Sequence, residues 1–248
     1  MSRNFELMQQ LEIVSSSSGR SIFEPDMSEL DAIGVAIGTN RWAGDEASSI
    51  VQRILLPRKQ DAPRMVVFAG VNHGDGCTAI CASVAETLAD SGCGQVCIVE
   101  ANFRTPALSR RLGIANHNGL AEAIVREGPI RSFAKPTGTD GLWCISCGGN
   151  AMNWPNLLNS ERLKPRLDEL RKEFSFVIFD SPPLSRSADA VAIGQLADGV
   201  VMILEAASTR RESAQMATAA LRSAKVPILG AVLNKRTFPI PERIYRRL

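Results

Sequence analysis

An apolar run, Met65-Val-Val-Phe-Ala-Gly70, leads within a few residues into Gly74-Asp75-Gly76-Cys77-Thr78-Ala79, which opens a helix-like segment over Thr78–Asp90. A strand, a glycine turn and a helix in that succession point consecutive backbone N–H groups at one spot, where the helix dipole adds its positive end and makes a cradle for an anion. In complete phosphate loops the glycines are followed by Lys-Ser/Thr, the lysine reaching the β/γ-phosphates and the hydroxyl holding Mg²⁺. Here Cys77 stands where the lysine is expected and Thr78 keeps the hydroxyl. Gly70 falls one residue too early for the strict spacing of such loops. The cradle is present and its cation is not.

The rest of the chain repeats the alternation that such a loop requires. Strand candidates are Met65–Gly70, Gln95–Glu100, Leu142–Cys147, Phe176–Asp180, Gly199–Glu205 and Ile228–Leu233. Helix-like segments over Thr78–Asp90, Glu161–Phe174 and Arg210–Lys225 separate several of them. Ile80, Val84 and Leu88 share one helical face, as do Leu163, Leu167, Leu170 and Phe174, so both helices pack on a sheet. Alternating β and α segments predict an α/β fold with a doubly wound, mostly parallel sheet. The expected organisation is an N-terminal arm over residues 1–62 with the flexible connector Ser15-Ser-Ser-Ser-Gly19, a nucleotide-fold domain over 63–236 and a basic tail over 237–248.

Ligands in open α/β sheets bind beyond the carboxyl ends of the strands, so the residues following each strand carry the chemistry. Two such ends are polar besides the glycine loop: Glu100-Ala-Asn102-Phe-Arg104-Thr-Pro106 and Asp180-Ser-Pro-Pro183. A carboxylate delivered by an apolar strand to the phosphate side is the arrangement that organises Mg²⁺. Two prolines after Asp180 disfavour its reading as a helix cap.

The order Gly-Asp-Gly-x-Thr, strand-Glu-x-Asn-x-Arg-x-Pro, strand-Asp-Ser-Pro-Pro and Gly230-Ala-Val-Leu-Asn-Lys235 resembles the bacterial tyrosine kinases of capsule and exopolysaccharide synthesis. Those are relatives of the MinD/ParA P-loop ATPases, and the resemblance covers Met65 to Arg236. It implies a P-loop NTPase fold of the MinD/ParA type and an ATP or ADP site with Mg²⁺ on Gly74, Asp75, Gly76, Cys77, Thr78, Ala79 and Asn234. The metal would fall to Thr78 and Asp180, and the catalytic positions to Glu100, Asn102 and Asp180. Three of those positions depart from the family pattern, which has lysine at Cys77 and aspartate at both Glu100 and Asn102. Cys77 removes a charged donor, Glu100 moves its charge out by one methylene, and Asn102 can neither take a proton nor offer a full negative charge.

Two assembly features also differ. The family's Glu-x-x-Arg-x-x-Arg ring motif corresponds to Glu46-Ala-Ser-Ser49-Ile-Val-Gln52, with both arginines replaced, so a homo-oligomer through that contact is weakened. The family's C-terminal tyrosine cluster is reduced to Tyr245. His73 is a weak substitute for the missing cation as a neutral imidazole, and a nucleophilic Cys77 lacks any recognisable His/Asp relay.

Composition excludes other classes. Formal net charge is +2, and Lys235, Arg236, Arg243, Arg246 and Arg247 crowd the C-terminus, so no general nucleic-acid surface is expected. Cys144-Ile-Ser-Cys147 resembles half a zinc site, yet residues three apart on a strand face opposite ways. No apolar run reaches the roughly 20 residues of a membrane span. Together with the three departures above, the resemblance implies a cytoplasmic, catalytically impaired regulator, peripheral to the inner membrane through a chain-length-determining polysaccharide co-polymerase, which the tail over 237–248 is expected to help grip. The competing readings are an active ATP-dependent protein-tyrosine autokinase and a MinD/ParA-like positioning ATPase.

Overall fold

Successive strand residues face opposite sides of a sheet, and here both sides are covered, which is why the strands read as unbroken apolar runs. In the computed structural model the described residues are 34–38, 43–56, 62–149 and 154–236. The N-terminal arm before residue 34, and the tail 237–248 with Tyr245, lie outside them.

The elements run β1 (Gly34–Gly38), α1 (Ala43–Ile50) continued by a π-helical turn over Val51–Leu55, β2 (Met65–Gly70), α2 (Cys77–Asp90), β3 (Val96–Glu100), α3 (Leu108–Arg111) and α4 (Leu120–Val125). They continue through a 3₁₀ turn over Ile130–Phe133, β4 (Lys135–Pro136), β5 (Leu142–Ile145), α5 (Trp154–Leu158), α6 (Leu163–Glu173), β6 (Phe176–Ser181), α7 (Asp189–Gly194), β7 (Gly199–Glu205), α8 (Arg211–Ser223) and β8 (Ile228–Arg236). Among the described residues the sheet has the order β1-β8-β7-β2-β6-β3-β5-β4. Its pairs are parallel except β4 with β5.

The doubly wound, mostly parallel α/β sheet is the fold expected from the sequence, and each of the six expected strands is present. Two more strands were not legible. β1 falls within the stretch read as an N-terminal arm and pairs in parallel with β8, while β4 is a two-residue strand ending in proline.

One face of the sheet buries Val66, Phe68, Ile98 and Val201 against Ala47, Ile50, Val84 and Leu88 of α1 and α2. The other buries Val67, Ala69, Val99 and Phe179 against Leu163, Leu167 and Leu170 of α6 and against Phe174. Full burial of a leucine such as Leu88 contributes about 1.5–3 kcal/mol. Cys144 and Cys147 fall in opposite clusters, as their spacing implied. Burial pushes their thiols up to about 12 and about 11. Among the described residues no group of three or more His, Cys, Asp or Glu side chains is placed to hold a metal ion.

Register sets the strand ends. Phe68 pairs with Asp180, Glu100 with Asp180, Gly70 with Ile203 and Glu205 with Asn234. β2 lies between β6 and β7, with the strands on its two sides reached by connections in opposite directions, and the crevice at its carboxyl end is where such folds bind ligands.

Candidate functional site

The loop after β2 is held in shape by hydrogen bonds within it and from β8. Asp75 is buried, and its Oδ2 accepts the Asn72 N–H at 2.7 Å. Desolvation raises the Asp75 carboxyl above its ordinary value, with the charge of Glu205 adding to the rise, while bonds to the backbone and to Thr209 oppose it. Gly74 and Gly76 adopt φ of +93° and +88°, where a side chain is strained. A Cβ on Gly76 would also collide with Nδ2 of Asn234.

That Asn234 amide donates to the Asp75 carbonyl at 2.7 Å, and the Lys235 ammonium donates to the Gly74 carbonyl at 2.7 Å while pairing with Glu205 at 3.1 Å. Asn234, expected beside a nucleotide, braces the loop through this bond. Lys235, read from the sequence as the end of the Gly230–Lys235 motif and as part of the basic C-terminal charge, is a second brace.

Helix α2 starts at Cys77. The hydroxyl of Thr78 donates to Oδ2 of Asp180 at 2.7 Å, and Oδ1 of Asp180 is buried without a hydrogen-bond partner among the described residues. Burial pushes the Asp180 carboxyl up to about 7, the bonds from Thr78 and the Cys77 thiol pull against that, and the charge of Glu100 adds to it. The Cys77 thiol is itself raised well above its ordinary value by burial and then by Asp180. A thiol so placed is no thiolate nucleophile.

Glu100 lies beside Asp180 in register but turns its carboxylate elsewhere. Oε1 accepts the N–H groups of Leu108 at 2.7 Å and Ser109 at 3.3 Å, and Oε2 accepts that of Cys147 at 3.3 Å. The extra methylene relative to aspartate carries the charge to the start of α3, where it caps backbone donors. Asn102 lies within reach of the loop, and its Oδ1 accepts from the Thr105 N–H and hydroxyl at 3.2 and 3.3 Å.

A cavity of about 610 Å³ opens at these strand ends, lined by residues 72–79 together with Gly70, Asn102, Thr105, Ala107, Arg110, Arg111, Ser181 and Pro183. Gly74, Asp75, Gly76, Cys77, Thr78, Ala79 and Asn102 are therefore brought together as the sequence reading required. Asp180 sits beneath them through Thr78. Glu100, Asn234 and Arg104 are outside the lining. Arg110 and Arg111 were missed, because their place on the wall depends on how the chain turns back after Pro106.

A glycine loop between strand and helix, a hydroxyl at the second helical position and an acidic strand end beside it define a P-loop protein, and its fold is shared with the MinD/ParA-like kinase domains. Its homologues are bacterial tyrosine-protein kinases, as the motif order implied. The chain is 28% identical over 171 residues to the tyrosine-protein kinase YwqD of Bacillus subtilis (strain 168), covering 69% of this chain and 72% of that one. It is 23% identical over 186 residues to the putative tyrosine-protein kinase CapB of Staphylococcus aureus, covering 75% and 81%. Among solved structures, the chimerical protein CapA2B2 superposes with a TM-score of 0.77 at 20% identity, over 86% of this chain and 98% of that one. No protein-family model matches the chain.

Proposed function

We propose that this chain is a kinase-like P-loop protein of capsule or exopolysaccharide biosynthesis that holds Mg·ATP or Mg·ADP and has lost phosphoryl transfer. In this reading it acts as a regulator at the cytoplasmic face of the inner membrane, docked on a chain-length-determining polysaccharide co-polymerase. The observation that carries the proposal is the contrast between two carboxylates at neighbouring strand ends. Asp180 stays beside Thr78 with Oδ1 open, whereas Glu100 gives both oxygens to backbone N–H groups.

The first half supports a metal. A buried carboxylate oxygen without a partner is costly unless a cation or water completes it, and Thr78 Oγ1 is adjacent. When bound, Mg²⁺ would neutralise charge on the phosphate oxygens. The loop N–H groups would hold the phosphates, with Asp75, Asn234 and Lys235 keeping the loop open.

The second half supports lost catalysis. A base or metal ligand must reach the reacting atoms, and Glu100 is anchored at α3 while Asn102 has no proton affinity to offer. Cys77 contributes no positive charge where charge develops in phosphoryl transfer. Docking to a membrane partner follows from the resemblance, and no helix among the described residues is long and apolar enough to cross a membrane.

The test is incubation of the full chain with radiolabelled Mg·ATP and the cytoplasmic segment of the co-polymerase. The expected outcome is nucleotide bound without label transfer. Robust label on Tyr245 that disappears in Asp180→Ala would establish the active autokinase instead.

A further inference from the structure

The charged side chains on the wall of the 610 Å³ cavity are unevenly distributed. Asp75 has its carboxylate turned into the loop, bonded to the Asn72 N–H at 2.7 Å with the Thr209 hydroxyl at 3.5 Å. Arg110 and Arg111, the last two residues of α3, line the same cavity as the glycine loop. Both are exposed, and neither guanidinium forms an ion pair or hydrogen bond with any described residue. Arginines that brace a fold are normally tied to carboxylates or carbonyls, as Arg166 is here to Glu169 and to the carbonyls of Gly128 and Arg126. Two free guanidiniums on the wall of a phosphate cradle are matched instead to an anion that enters it.

Their placement has a cause in the chain. α3 is four residues long, too short to hold its own direction, and it is fixed at its start by Glu100, whose Oε1 accepts from Leu108 and Ser109. An aspartate at that position, one methylene shorter, would fall short of those donors. The residue that departs from the kinase pattern at the strand end thus fixes the start of the short helix that carries both arginines.

We propose that Arg110 and Arg111 supply the positive charge that Cys77 removes from the phosphate loop, binding the terminal phosphates of a nucleoside di- or triphosphate from the cavity wall, with Glu100 as their positioning residue. This rests on the nucleotide reading above.

The experiment is calorimetric titration of the full chain with Mg·ADP and Mg·ATP at one ionic strength. Wild type, Arg110→Ala/Arg111→Ala and the charge control Arg222→Ala, on the remote exposed end of α8, are compared after their thermal melts are matched. The double variant is expected to bind about tenfold to a hundredfold more weakly, the value of one or two charge-assisted hydrogen bonds, with Arg222→Ala within about twofold of wild type. Cys77→Lys is expected to restore most of the loss in the double variant and to add little to wild type. Equal affinity in wild type and double variant, or an equal gain from Cys77→Lys in both backgrounds, overturns the arginine assignment and leaves the nucleotide reading standing. No heat from wild type at millimolar nucleotide overturns both.

Discussion

Thr78 and Asp180, 102 residues apart in sequence, meet at 2.7 Å where helix α2 begins and strand β6 ends, with the threonine hydroxyl donating to Oδ2 and leaving Oδ1 of the aspartate open. The hydroxyl and carboxylate expected to hold Mg²⁺ are thus already assembled by the fold. Removing either should therefore affect the metal-dependent part of nucleotide affinity far more than the metal-free part. Thr78→Ala and Asp180→Ala are each expected to weaken Mg·ADP about tenfold or more while leaving metal-free ADP nearly unchanged, an effect equivalent to about 1.4 kcal/mol or more. Titrations with and without a chelator provide the check, and an equal loss in both would remove the metal from the argument.

The raised carboxyl of Asp180 makes a pH prediction with a definite sign. Its folded value of about 7 lies above its ordinary 3.8, so between those limits the folded state binds the proton that the unfolded chain has released. The associated stability is fully present below about pH 4 and is lost as pH rises through 7. Asp180→Asn does not titrate, so relative to wild type it should gain up to ~2–4 kcal/mol between pH 4 and 8 in ligand-free protein. Urea midpoints of the two proteins across that range measure it. A difference that does not change with pH would show that Asp180 ionises normally.

Metal affinity should follow the same proton. Mg²⁺ requires the ionised carboxylate, so Mg·ADP binding is expected to rise with pH up to about 7 and to fall nearly tenfold per unit below it. Isotherms at pH 5.5, 6.5 and 7.5 decide this, and the dependence should vanish in Asp180→Asn.

Glu100 is predicted to matter for structure first. Glu100→Gln removes the charge that caps Leu108 and Ser109, and Glu100→Asp retracts it, so each is expected to lower stability by about 1–3 kcal/mol. Restoring the kinase residues with Cys77→Lys, Glu100→Asp and Asn102→Asp together should recover little phosphoryl transfer, because α3 loses its anchor. Denaturant midpoints alongside radiolabel assays test both halves, and a stable, active triple variant would contradict them.

Gly76→Ala should close the loop. The position has φ +88°, and an added Cβ collides with the Asn234 amide that holds the Asp75 carbonyl. A loss of about 1–3 kcal/mol in stability is expected together with nucleotide affinity. Gly74→Ala meets open space and carries only the backbone cost, so it should lose about 1 kcal/mol. Thermal melts of the two variants separate collision from conformation.

The fold class was written in the chain because it depends on local periodicity and order. Six mostly apolar runs of five to seven residues, with amphipathic helical segments such as Glu161–Phe174 between several of them, leave few arrangements other than a doubly wound sheet. The glycine loop, Thr78 and Asp180 were legible for the same reason, since each sits at a fixed offset from a strand end. β1 was not, because Gly34-Val-Ala-Ile-Gly38 is too short and too bracketed by glycine to show a period, and its place comes from pairing with β8 some two hundred residues later.

What the tertiary structure decided is where each polar side chain ends. Glu100 and Asp180 read alike in sequence, each a carboxylate closing an apolar strand. The fold turns one to the backbone of α3 and leaves the other beside Thr78. Asn234 braces the loop because β7 and β8 bring it to Asp75, and Arg110 and Arg111 line the cavity because α3 is anchored on Glu100 at the strand end. Strand periodicity is a property of neighbouring residues and can be read along the chain, whereas the partner of a charged atom is set by distances across it, which only the packed structure fixes.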